Sequence, residues 1–304
     1  MSEGRRDLVQ PFLVESIGIR GRLVRLSGAL DEILVRHEYP LPVSFLLAET
    51  IALAAAFASA VKLDGIFSLQ VKGNGPVKTL VADVESPGTL RGYARFDAAA
   101  SSGLGPLPLT QLVGEGFLVW TVDPKVGERH QGIVALDGSS IAECAESYFR
   151  QSEQLRAALR IGVGRPSGDD GRPRWRAGAL MLQRIASAGG VAPPQDLDIA
   201  DEHWRQGLAL GGSVTPNELI DPRLSENTLL YRLFHEVGVA VTDPTPLKAG
   251  CRCSEARVRN VLRGFSPDEL RDMVVGKRIE VRCEFCNTMY WFDPDRLVTA
   301  PVLH

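Results

Sequence analysis

Four cysteines fall in the last 54 residues of a 304-residue chain, as Cys251-Arg252-Cys253 and Cys283-Glu284-Phe285-Cys286, with 29 residues between the pairs. Thiolates grouped two and two close a tetrahedron around Zn²⁺, and closed sites of this kind hold small domains together. A single residue between the first two cysteines is unusual for a zinc ribbon, in which both pairs normally have two. The same sulfurs carry redox chemistry. Peroxide or hypochlorous acid attacks thiolate, and a sulfenic acid or a disulfide is a poor metal ligand. Residues i and i+2 of an extended strand lie about 6.6 Å apart, near the upper limit for a disulfide, so Cys251 and Cys253 can join after slight contraction. Spacing alone leaves two readings open: a static zinc staple, or a switch whose short-loop disulfides cannot replace the cross-link between the two halves of the tail.

Other residues of chemical interest stand alone. His235-Glu236 begins like a zincin helix, but position 239 is Val and the second histidine is missing. Gly73-Asn74-Gly75-Pro76 reads as a turn, and the chain has no GxxxxGK[ST] phosphate loop. His37, His130 and His203 stand far from one another in sequence and read as surface or satisfied core histidines, and Cys144 reads as a small buried hydrophobe within a helix. The CxxC pair sits between strands and does not open a helix, which argues against a thioredoxin-like oxidoreductase. No constellation for catalysis is present, so the expectation is a protein that is not an enzyme.

Bulk properties narrow the class. The chain is 44% hydrophobic and 23% charged with a formal net charge of −3, and its length suits two or three units. Residues 250–304 hold nine Lys/Arg against eight Asp/Glu, which gives a nucleic acid no basic face. The N-terminal MSEGRRDLVQPFLVES lacks the apolar region of a signal peptide. The long apolar stretch from Phe45 to Val61 contains Glu49 and Thr50 and reads as a core helix, not a membrane span. A cytoplasmic protein is expected, in a reducing compartment that favours metal-bound over disulfide-bonded cysteines.

The elements that must position the cysteines read as an α+β fold in three parts: an N-terminal mixed α/β domain with antiparallel sheet over 1–190, a helical linker over 191–249, and a small Cys₄ zinc-binding domain over 250–304. In the first part Ile17–Leu26 reads as a strand and Ser44–Lys62 as a helix apolar all round. Ile66–Val71, Val77–Val84, Leu90–Phe96 and Phe117–Val122 follow as an antiparallel meander. Ser139 or Ser140 can cap a helix carrying Ala145, Tyr148 and Phe149, and Leu155–Val163 returns as a strand. GRPSGDDGRPR, residues 164–174, reads as an exposed, mobile loop. Leu180–Ala186 looks helical, and Gly189-Gly190 to Pro193-Pro194 marks the end of the domain.

In the linker, Thr215-Pro216-Asn217-Glu218 is a capping box, and Ser225 can cap a helix with Leu229, Leu230, Leu233, Phe234 and Val237 as its apolar stripe, ended by Gly238. Helices this short need a surface to pack on. In the tail, Ser254 caps a helix bearing Val258, Val261 and Leu262, and Ser266-Pro267-Asp268-Glu269 opens another. Ile279 to Cys283 and Met289 to Phe292 read as strands on either side of the CxxC knuckle. So few large apolar residues make a thin core, which metal would have to hold.

With these residues placed, the chain resembles the 33 kDa chaperonin family, the redox-regulated heat-shock proteins of the bacterial cytoplasm. The tail carries the family's CxC and CxxC pattern as CRCSEARVRNVL and VRCEFCNTMYWF. GIRGRLVRL, DEILVRHEYP, GPVKTLVADV, LRGYARFD, YFRQSEQL, AGALMLQ, NELIDP and LLYRLFHE extend the resemblance over nearly the whole chain. Two features depart from it: Asn287 stands where the family has Gly, although Asn also tolerates a left-handed backbone, and GRPSGDDGRPR looks like an insertion. The resemblance implies a holdase that is inactive when reduced with one zinc on Cys251, Cys253, Cys283 and Cys286. It implies disulfides Cys251 to Cys253 and Cys283 to Cys286 on oxidation, unfolding of tail and linker, binding of unfolded client proteins, and commonly a homodimer.

Overall fold

The computed structural model describes residues 7–101, 107–151, 156–167, 171–185 and 194–298. The chain divides into two compact units, Met1–Ala249 and Gly250–His304.

The first unit opens with an antiparallel hairpin, β1 (Leu8–Val14) and β2 (Ile19–Leu26), whose connection closes on Gly18 at φ 61°. Helices α1 (Gly28–Val35) and α2 (Leu41–Ala60) follow, then strands β3 (Gly65–Gly73), β4 (Val77–Glu85) and β5 (Thr89–Phe96). Two short helices, α3 (Ala98–Ser101) and α4 (Leu109–Leu112), precede β6 (Gly116–Pro124), β7 (His130–Ala135), α5 (Ile141–Gln151), β8 (Ala157–Gly164) and β9 (Arg176–Arg184). The unit ends with α6 (Pro194–Gly212), α7 (Pro216–Ile220), α8 (Glu226–Phe234) and three two-residue strands, β10 (Ala240–Val241), β11 (Thr245–Pro246) and β12 (Lys248–Ala249).

These strands form two sheets. One runs β10-β1-β2-β9-β8, with β11 also on β1; the other runs β12-β5-β4-β3-β6-β7. All pairings are antiparallel except β12 on β5. The α+β expectation with antiparallel sheet therefore holds. The expected meander covers only β3 to β5, because β6 returns beside β3 along its whole length, from Gly65↔Pro124 to Gly73↔Gly116.

Helix α2 lies in the core between the sheets. Leu47, Ile51 and Leu53 are buried with Val24, Ala179 and Met181 of one sheet and Leu69, Leu80 and Leu118 of the other. A helix enclosed in this way is apolar all round, and α2 is a core helix although it is long and apolar enough to cross a membrane. It begins three residues before Ser44, with Pro42 in its first turn.

The opposite face of the first sheet is buried too. Phe12, Ile19, Leu23, Leu180 and Leu182 meet Trp204, Leu219, Leu229, Leu230, Leu233 and Phe234 of the C-terminal helices. Enclosure on both faces explains one misreading. Leu180–Arg184, expected to be helical, belongs to β9, whose residues Ala177 to Gln183 are all buried. An unbroken apolar run does not separate a two-sided strand from a buried helix by periodicity. Ile185 follows it, and the expected domain break at residues 189–193 lies outside the described residues, as do 168–170 of the GRPSGDDGRPR loop and the side chain of Phe149. The remainder of that loop connects β8 to β9, with a bridge between Ser167 and Pro173. The 19-residue α6 is longer than the short helices expected for this region.

The second unit has helices α9 (Glu255–Leu262), α10 (Pro267–Asp272) and α11 (Pro294–Val298) around a three-stranded antiparallel sheet of β13 (Val274–Val275), β14 (Arg278–Arg282) and β15 (Met289–Phe292). Its core is thin, as its composition suggested: Leu262, Leu270, Ile279, Phe292 and Leu297 are the buried members. Val258 packs on this core, whereas Val261 of the same helix is 65% exposed.

Candidate metal centre

The first cysteine pair follows β12 directly and precedes α9, whose first turn is fixed by the Arg257 N–H donating to Ser254 Oγ at 3.2 Å. The second pair turns the corner between β14 and β15. The Cys283 N–H donates to the Thr288 carbonyl at 2.9 Å and the Asn287 N–H to the Cys283 carbonyl at 2.8 Å. Asn287 has φ 60° and is the sole non-glycine residue at positive φ among those described. Its short amide side chain makes that conformation accessible, so the departure from glycine leaves the knuckle intact.

Chain folding brings the two pairs together. The four sulfurs lie within 4.8 Å of one another, with Cys251 Sγ 3.7 Å from Cys283 Sγ and Cys253 Sγ 3.3 Å from Cys286 Sγ. Sulfurs each about 2.3 Å from a tetrahedral zinc are about 3.8 Å apart. The four cysteines are thus positioned to bind a metal ion, and a set of four soft thiolates fits zinc.

The thiols differ in their surroundings. Burial first, then the neighbouring sulfurs, push Cys253 up to about 12, against the Tyr290 hydroxyl that donates to its sulfur at 3.1 Å. Burial also raises Cys283, although the Cys286 and Phe285 N–H groups oppose it. For Cys286 burial is outweighed: the Thr288 hydroxyl, 3.2 Å from Sγ, and the Thr288 N–H bring the thiol down to about 7. Four crowded sulfurs cannot all carry charge without a cation among them, so metal binding would release protons. Tyr290 and Thr288 support the site and were not read from the sequence. The signal for Tyr290 was its place opposite Val281 across the β14–β15 ladder.

Cys144 lies apart from this cluster, fully buried in the first turn of α5, with Sγ accepting the Gly138 N–H at 3.3 Å. Burial raises its thiol, which makes it a poor nucleophile. His235 caps the C-terminus of α8, and His37 stacks on Tyr39 at 4.7 Å.

The fold and site define a class of α+β proteins that carry a small four-thiol module able to hold a metal ion, and comparison with known chains narrows it. The Hsp33 protein family model matches residues 7–293. A 33 kDa chaperonin of Caulobacter vibrioides is 42% identical over 95% of both chains, and one of Pseudomonas fluorescens is 35% identical over 94% of this chain and 91% of that one. The crystal structure of the 33 kDa chaperonin (heat shock protein 33 homolog) of Thermotoga maritima superposes with a TM-score of 0.77, at 25% identity and 97% coverage of each chain. The chain belongs to the Hsp33 family. It is a chaperone, not an enzyme, and its partners are unfolded client proteins.

Proposed function

We propose that this chaperone is a cytoplasmic, oxidation-activated holdase in which Cys251, Cys253, Cys283 and Cys286 hold one zinc in the silent state. Bound zinc would supply the cross-link between the two cysteine pairs. Hydrogen peroxide takes two electrons from each pair, so that two thiols and one peroxide give one disulfide and two waters. The pairs that close are Cys251 with Cys253 and Cys283 with Cys286. Neither disulfide joins residue 253 to residue 283, and a tail core of five buried apolar side chains does not persist without that link.

The observation that carries the reading is covalent adjacency. Gly250 and Cys251 follow immediately on β12, and β10, β11 and β12 are the short strands that tether the linker, residues 191–249, to strands β1 and β5 of the two sheets. Loss of order at Cys251 frays β12 first. The linker helices then lose the tether that returns their chain to the sheet, and their departure uncovers Phe12, Ile19, Leu23, Leu180 and Leu182 together with their own apolar faces. Surfaces of that kind bind the exposed apolar segments of an unfolding protein. In this scheme residues 1–190 form the chaperone core and 250–304 the switch, and the uncovered surfaces also favour a homodimer of the oxidised chain.

The test compares suppression of thermal aggregation of an unrelated enzyme by reduced and by peroxide-treated protein, with zinc content measured in parallel. Activity only after peroxide, together with loss of zinc, is expected. Equal activity in both states would overturn the switch.

A further inference from the structure

The linker is not held to its sheet by apolar contact alone. Arg25 of β2 is only 6% exposed and points from the sheet face into the linker. Its guanidinium donates to three backbone carbonyls there: Glu218 at 2.9 Å, Leu219 and Leu224. Glu226, 8% exposed at the start of α8, stands 4.0 Å from Arg25 Nε. These carbonyls end α7 and lie in the turn before α8, where no helical partner satisfies them.

The sheet beside Arg25 is shaped for the same segment. Arg25 pairs with Gly178 of β9, and Gly178 pairs with Gly162 of β8, so the three residues form one row across the sheet. A Cβ on Gly178 would lie 2.2 Å from the Leu219 carbonyl oxygen, and one on Gly162 would lie 2.1 Å from that of Pro216. The backbone of α7 therefore rests directly on two glycines while Arg25 grips its last carbonyls from the side.

We propose that Arg25, with the Gly162–Gly178 floor, is a docking cradle for residues 215–226 and sets how readily the linker leaves the sheet. The inference rests on the holdase reading above. A guanidinium suits a bond that must open. It satisfies the α7 carbonyls and Glu226 while docked, and on undocking all these groups recover water, so that release costs less than separation of a purely apolar seam of equal area. Specific placement and easy release then come from one side chain. Removing it leaves three carbonyls buried without their donor and takes a positive charge from beside Glu226, which shifts the docked-to-undocked ratio on the order of a hundredfold or more.

The experiment uses the full chain, reduced and zinc-loaded, as wild type, Arg25→Met, Arg25→Lys and Gly178→Ala. Two readouts are taken: protease cleavage within residues 194–249, and suppression of enzyme aggregation. Arg25→Met and Gly178→Ala are expected to expose the linker to protease and to hold clients without peroxide, with zinc still bound. Arg25→Lys, a single point donor facing three carbonyls, is expected to fall between Arg25→Met and wild type. A linker as protected in Arg25→Met and Gly178→Ala as in wild type would overturn the cradle. Should peroxide-treated wild type hold no client, the holdase reading fails, and protease cleavage alone then decides the cradle. If Arg25→Met does not fold, Arg25→Lys and Gly178→Ala decide the matter.

Discussion

The four sulfurs are close enough to serve as one ligand set, so that a change at any single sulfur is expected to empty the site. Cys286→Ser replaces a soft ligand by a poor one. Expected is loss of most of the bound zinc by elemental analysis, together with loss of tail structure by circular dichroism. Full zinc retention would contradict a four-sulfur site. Glu49 makes the second prediction at this scale. Its carboxyl accepts the Ala142 N–H, but burial inside the apolar surroundings of α2 pushes it up to about 7 from an ordinary 4.5. A group raised in this way contributes stability that is fully present below its unfolded value and is lost as pH rises through its folded value. The window is therefore about pH 4.5 to 7, and the amount is about 3 kcal/mol at 1.36 kcal/mol per unit. The urea midpoint of the first unit should fall between pH 5 and pH 8 in wild type and stay nearly level in Glu49→Gln; parallel curves would show that the carboxyl is solvated. The cysteines were legible in the sequence because ligand spacing is local. Arg25 and Tyr290 were not, because each acts on residues that only chain folding brings beside it, and Thr288, two residues from Cys286, was not, because a hydroxyl beside a cysteine pair carries no spacing signal of its own.

Helix starts were the most legible elements, for the same reason of locality. Thr215 and Ser266 each complete a capping box, with the N–H of Glu218 and of Glu269 at 3.3 Å from the cap oxygen and the glutamate carboxylate returned to the cap N–H. Ser140 holds the first turn of α5 in a simpler way, its Oγ 3.2 Å from the Glu143 N–H. Thr215→Ala removes the cap of α7, a loss of about 1 kcal/mol, and α7 is the helix that the sheet holds by backbone contact. Cleavage of the reduced linker by a protease should begin several degrees lower in this variant than in wild type. Ser266→Ala, on the other hand, should leave the linker unchanged and lower only the stability of the tail. An equal response of the linker to both would mean that the caps act through a common unfolding event. What was illegible at this scale was pairing. Strand β9 is enclosed on both faces, β10 to β12 are two residues each, and β6 pairs with β3 across more than 40 intervening residues. Such strands are fixed by their partners, not by a pattern of their own.

On the scale of the whole chain, two units with separate cores imply two separate responses to metal removal. The first unit buries α2 between two sheets in a large apolar core, whereas the second has a thin core and four sulfurs placed to join Cys251 and Cys253 to the β14–β15 knuckle through a metal ion. If loss of the cross-link is what matters, a disulfide is one way of losing it and chelation is another. A strong chelator in the presence of reductant, with gentle warming, should therefore melt the tail, free the linker and produce client binding with all thiols reduced. Calorimetry should show the lower transition abolished and the upper one, belonging to the α2 core, kept within a few degrees. The aggregation assay on the same sample then separates two accounts of activation. Client holding by the chelated, reduced chain would assign activity to release of the linker alone. A chelated chain that is unfolded in its tail yet holds no client would assign a direct role to the Cys251–Cys253 and Cys283–Cys286 disulfides, as constraints that keep the tail from refolding once oxidised.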